Sequence, residues 1–241
     1  MRLTSDKLRQ ATFLAGVLSA VGAGAYWLLV RPAQESHKVL QSVPAGSRLI
    51  DNVLPIYEFR GVVSTVIHAT PEQIFRALAA VSLTDMPLAN ALIQARYLPG
   101  LLMGKPVNLK AIEAPILQSA QGTGNIVLAK APNRELVIGV IGKFHQILDQ
   151  QPVTLQNPRQ FSFFVNPAYQ KLAMSWAIGG GNDQDGYRFI FESRTHALSA
   201  QSRRQFALYW WLMIKLGSDL MARMLVAAVK RRAEEMAKVN L

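Results

Sequence analysis

Two strand-like stretches carry the side chains best suited to acid–base work. In VIGVIGKFH (137–145), Val137, Ile141, Lys143 and His145 share one face of an extended chain. A lysine and a histidine at the end of an apolar strand can act as acid and base, because histidine titrates near neutrality. The same pair also suits a strand end emerging into water. In YRFIFESRTHA (187–197), Glu192 and Arg194 share a face with Arg188, Ile190 and His196, opposite Tyr187, Phe189, Phe191, Ser193 and Thr195. On a solvated face, a Glu192–Arg194 pair contributes less than about 1 kcal/mol. Lining a cavity, it would orient a polar head or polarise a carbonyl.

Other chemistries lack their residues. The chain has no cysteine, which excludes disulfides, thiolate metal sites and Cys nucleophiles. His37, His68, His145 and His196 show no metal-ligand spacing, so no metal and no cofactor is expected. No G-x-S-x-G elbow occurs. The glycines at 122, 124 and 179–181 suit hairpin turns better than phosphate cradles, since none opens a helix or precedes Lys-Ser/Thr.

These residues must be positioned by a core, and half of the 241 residues are hydrophobic. The pattern predicts strands near 57–69, 109–119, 124–131, 135–146, 160–167, 172–179 and 186–197. After the first strand, Thr70 and Gln73 have capping-box spacing, with Pro71 at the first helical position. A helix over 71–81 follows, then a second over 86–98. A long helix is expected from about 200 to 237. Consecutive strands joined by tight turns pair antiparallel, and the terminal helix is the element large enough to cover their apolar face. The expected class is α+β: an antiparallel sheet of about seven strands around a C-terminal helix, with two short helices after the first strand.

On a helical wheel, Lys215, Asp219 and Arg223 form a charged face. Opposite fall Phe206, Trp210, Met213, Gly217, Leu220, Met221 and Met224, a stripe expected to face the sheet. Methionines beside a glycine suit an adaptable ligand wall, and equally an ordinary core. Gly217-Ser218-Asp219 is a point where the helix can kink or break.

The N-terminal part reads differently. Residues 11–30, ATFLAGVLSAVGAGAYWLLV, contain no charge, and twenty helical residues span about 30 Å, the thickness of a bilayer core. Arg2, Lys7 and Arg9 precede the stretch against Asp6 alone, so the positive-inside tendency leaves residues 1–10 cytoplasmic and the rest extracytoplasmic. The alternative is a signal peptide cleaved after Ala23-Gly24-Ala25, with a secreted product. Residues 31–55 are polar and proline-punctuated, a tether spanning roughly 25–30 Å. The domain proper would then be 56–241. The net charge of +11, from 26 basic and 15 acidic residues, is scattered and not interleaved with aromatics. That favours an anionic bilayer as partner over nucleic acid.

TPEQIFRAL (70–78), IGKFH (141–145), NPAYQKLAM (166–174), FESRTHAL (191–198) and the terminal SRRQFALYWW…RRAEE segment together resemble the START-like helix-grip superfamily, SRPBCC. That superfamily includes polyketide cyclase/dehydrase-like proteins and a largely uncharacterised bacterial membrane-anchored subgroup. The subgroup tends to have Gly where Ala168 stands and Trp where His145 stands. The resemblance covers roughly 56–237 and implies a cavity for a hydrophobic ligand between sheet and helix. The expected function is therefore non-catalytic binding of an apolar small molecule or lipid by a membrane-tethered domain. A cyclase- or dehydrase-like enzyme using Lys143, His145, Glu192 and Arg194 is the first alternative. A solidly packed structural or partner-binding protein is the second.

Overall fold

The structure, a computed structural model, describes residues 48–91, 114–121, 124–146, 152–210 and 215–239. The apolar stretch 11–30 and most of the expected tether lie outside them. Among the described residues, no helix is long and apolar enough to cross a membrane.

The fold is α+β. Its described elements are α1 (Leu49–Val53), β1 (Phe59–Ile67), α2 (Pro71–Ala80), α3 (Ile116–Gln121), β2 (Ile126–Ala131), β3 (Glu135–Gly142), α4 (Pro158–Phe163), β4 (Gln170–Asn182), β5 (Gly186–Ala197), α5 (Ala200–Tyr209) and α6 (Lys215–Val239). All strand pairs are antiparallel, in the order β1-β5-β4-β3-β2. The β4–β5 hairpin turns at Asn182, whose side-chain oxygen accepts the N–H groups of Gln184 and Asp185. Gly181 adopts φ +131° there, and a Cβ on it would lie 2.2 Å from the Gly186 carbonyl oxygen. Only glycine fits.

The junction from β1 to α2 forms as its sequence predicts. Thr70 Oγ1 accepts the Gln73 N–H at 3.3 Å, and Gln73 Oε1 accepts the Thr70 N–H at 2.9 Å. Ile74, Ala77 and Leu78 are buried on the face this cap orients. Of the second expected helix, 87–91 are helical and 92–98 lie outside the described residues.

Five strands are described where about seven were expected. The run 160–167 is not a strand. Asn157 Oδ1 accepts the Gln160 N–H at 3.1 Å and Pro158 opens α4. Alternation would bury Phe161 and Phe163 together, yet Phe161 is 1% exposed and Phe163 78%. In the expected strand 109–119, Pro115 makes an isolated bridge to Ser82 and residues 116–121 form α3; 109–113 lie outside the described residues. The expected tether ends in structure: α1 packs its buried Ile50 against Val137, Ile141, Phe161 and Ala173.

The sheet is covered on both faces. On one lie α1 and α4, against Val137 and Ile141 of β3 and Ala173 of β4. On the other lie α2 and α6, against Ile138, Trp176, Phe189 and Phe191. Strand alternation requires this division. The expected terminal helix is described as two segments, with 211–214 between them outside the described residues. Gly217-Ser218-Asp219 does not break the helix, since α6 runs through these residues.

Candidate functional site

Glu192 is fully buried, and its surroundings explain how a carboxylate stands there. Its Oε1 accepts from Arg60 Nε at 2.7 Å and from Arg194 Nε at 2.8 Å, while Arg48 pairs with Oε2. Arg194 extends the cluster to Asp51 Oδ1 at 2.6 Å and donates to the Leu54 carbonyl at 3.3 Å. Arg48 also donates to Ser175 Oγ at 3.0 Å, and Ser175 donates to Glu135 Oε1 at 2.6 Å. Glu135 in turn accepts the Leu49 N–H at 2.7 Å and so caps α1 from the start of β3. Three guanidiniums thus meet three carboxylates beneath α1.

Burial pushes the Glu192 carboxyl up. The hydrogen bond from Arg60, the charge of Arg48 and the hydrogen bond from Arg194 outweigh it and hold the pKa at about 2. Arg60 and Arg194 stand directly opposite each other on β1 and β5, an arrangement that repels. Glu192 accepts from both and removes the conflict. With its lone pairs committed to guanidiniums, it is a lock between α1 and the sheet.

Lys143 and His145 fall in a different cluster. Lys143 Nζ stands 5.2 Å from the Tyr169 ring centroid, and His145 Nδ1 is 3.3 Å from Gln170 Nε2. Gln170 is itself committed, accepting the Phe144 N–H at 2.8 Å and donating to Ser202 Oγ. The four acid–base candidates therefore form two clusters, and the Glu192–Arg194 pair lies on the α1 face.

The face toward α6 has another character. Register places Val63, Phe191, Trp176 and Leu136 in one row across four strands. Gly61, Ser193, Met174 and Ile138 form the next row, and Phe59, Thr195, Leu172 and Val140 the one after. This surface is mainly apolar, yet Val63, Leu136, Leu172, Met174 and Ile178 are only half-buried. Trp176 is 3% exposed, and among the described residues its Nε1–H has no hydrogen-bond acceptor.

The helical stripe divides. Phe206 and Trp210 are buried with Phe59, Val140 and Phe144, the Phe59 and Phe206 rings edge-on at 4.8 Å. Met221 and Met224 are half-buried at the margin of the main core, and Leu220 is half-buried. Gly217 is exposed, with nothing within 4 Å of where a Cβ would lie. Met213 lies outside the described residues. The most closely packed face of α6 is instead Ala222, Val226, Val229 and Ala233. Asp219, expected on a solvated face, brings Oδ1 within 3.7 Å of an ideal Cβ on Gly61 of β1. The wheel carried the phase of Phe206 and Trp210 into α6 across residues 211–214, which lie outside the described residues. Ala222 and Ala233 are buried in this contact, whereas Met221 and Met224 are packed against it only in part.

Sequence reasoning missed Arg48, Asp51, Arg60, Glu135, Ser175 and Trp176. Parity on β5 pairs Glu192 with Arg194, but the other partners come from four separate segments. A single usable signal was present: KLAMSWAI (171–178) alternates, and puts Trp176 with Leu172, Met174 and Ile178.

Among the described residues, no group of three or more His, Asp or Glu side chains is placed to hold a metal. No family model matches the chain, and no curated protein matches it significantly. Among solved structures, the crystal structure of protein MLL2253 from Mesorhizobium loti aligns with 73% of this chain and 98% of its own, at 16% identity and a TM-score of 0.32.

Proposed function

We propose that this chain is a membrane-tethered domain of the START-like helix-grip type that binds an apolar small molecule or lipid between its sheet and α6, without catalysing a reaction on it. The observation that carries the proposal is the α6 face of the sheet: mainly apolar across three rows of side chains, and half-buried at Val63, Leu136, Leu172, Met174 and Ile178. Apolar side chains left only half-buried keep a cost that a covering molecule would remove. The polar residues support binding over catalysis. Glu192 is held ionised and sealed beneath α1, while Lys143 and His145 stand in a separate cluster. The charge-free stretch at 11–30, followed by a short polar segment, would hold the site beside a bilayer from which such a ligand partitions.

The test uses the full chain, reconstituted in nanodiscs of one defined phospholipid. Organic extraction and mass spectrometry are expected to return a stoichiometric apolar compound, or a fluorescent fatty-acid probe is expected to bind saturably. Met174→Arg, which places a cation on the α6 face, should abolish that binding. A protein that yields no compound and binds no probe overturns the proposal and favours a solidly packed structural domain.

A further inference from the structure

We infer that the ligand of the α6 face carries a hydrogen-bond acceptor oxygen, such as a carbonyl, ester or quinone oxygen, and that Trp176 Nε1–H donates to it. The inference rests on the proposed binding function and adds the chemistry by which one class of apolar ligand is preferred.

Indole nitrogen is a donor only. Buried polar groups in folded proteins are almost always paired, because the lost hydrogen bond to water is otherwise not replaced. Trp176 departs from that rule: it is 3% exposed, and its N–H meets no acceptor among the described residues. A nearby ring does not satisfy it fully. Phe191 lies beside the indole with centroids 5.5 Å apart and planes tilted by 45°, an apolar contact without a lone pair. The setting is the surface already identified by coverage. Trp176 stands between Leu136 and Phe191 in its row, flanked along β4 by half-buried Met174 and Ile178. A phenylalanine would fill this position without the polar atom. The donor has a use only if an acceptor comes to it, and on this face the acceptor must arrive on a molecule that also covers apolar side chains. Sites of this kind combine a mostly apolar wall with a few placed polar groups that fix orientation.

Two pyrene-labelled probes of equal chain length separate the cases, one a fatty-acid methyl ester and the other a hydrocarbon with no oxygen. Both are titrated against the full-length chain in nanodiscs and against Trp176→Phe. The ester is expected to bind the native chain more tightly, and Trp176→Phe to weaken ester binding by about three- to tenfold while leaving the hydrocarbon unchanged. Replacing Trp176 by benzothienylalanine keeps the bicyclic shape and removes the N–H; it should reproduce that selective loss, so a packing defect in the Phe variant cannot be mistaken for a lost donor. Equal effects on both probes, or none on the ester, overturn the inference while the binding function stands. Absence of binding by either probe to the native chain overturns the binding function itself, and this inference with it.

Discussion

On the α1 side of β4, Lys171, Ala173, Ser175 and Ala177 are all buried; on the α6 side of the same strand, Leu172, Met174 and Ile178 are half-buried and Trp176 is closed off. The buried side contains the charges, and the incompletely covered side is apolar. A buried charge requires every partner in place, since the desolvation it suffers is recovered only by good geometry and full pairing. That requirement makes the α1 face rigid and specific. An apolar wall has no such requirement and can be left partly uncovered for another molecule to complete. The two faces therefore divide the labour, one fixing the sheet and the other presenting it.

The largest expected effect tests the lock. Glu192→Gln leaves three guanidiniums facing a neutral amide and should cost about 3–5 kcal/mol in urea unfolding. A loss below about 1 kcal/mol would mean that the α1 face is held by its apolar contacts alone, and the contrast would collapse.

Acid should act on the same face by a smaller amount. The Glu192 pKa lies below the ordinary 4.5, at about 2, so its contribution is fully present above about pH 5 and is lost as pH falls toward 2. The shift corresponds to about 3 kcal/mol, readable as the slope of stability against pH over that window. In Glu192→Gln that slope should flatten. An unchanged slope would assign the acid sensitivity to other carboxylates.

The smallest effect lies on the α6 face. Fully buried methionine replaced by alanine costs about 2–5 kcal/mol. Because Met174 is half-buried, Met174→Ala should cost on the order of 1 kcal/mol. The fatty-acid probe's affinity should fall as well. A full core-sized loss of stability, with probe binding intact, would show this face to be ordinary interior.

Much of the local structure was legible from the sequence. Thr70, Pro71 and Gln73 state a helix start within four residues, and the turn at Asn182–Gly186 is written in glycine and side-chain amide chemistry. The same grammar was present at Asn157-Pro158 but was outweighed by the alternation of Phe161 and Phe163. A six-residue helix with one buried phenylalanine imitates a strand when only spacing is read. The terminal helix illustrates the converse: its length and amphipathicity are local properties, but which side meets the sheet is decided by packing, and Ala222, Val226, Val229 and Ala233 are more deeply buried than Met221 and Met224.

The sequence alone determined the apolar stretch at 11–30, the α+β character, the capped junction after β1 and the parity that puts Glu192 beside Arg194. Those follow from interactions between residues a few positions apart. Tertiary structure decided which face of the sheet each side chain meets, because Arg48 and Arg60 reach Glu192, and Ser175 and Glu135 reach Arg48, only after distant segments are brought together. It also decided that Trp176 is buried with no acceptor among the described residues. Whether a polar atom finds a partner is set by everything that packs around it, and spacing along one strand carries no information about that.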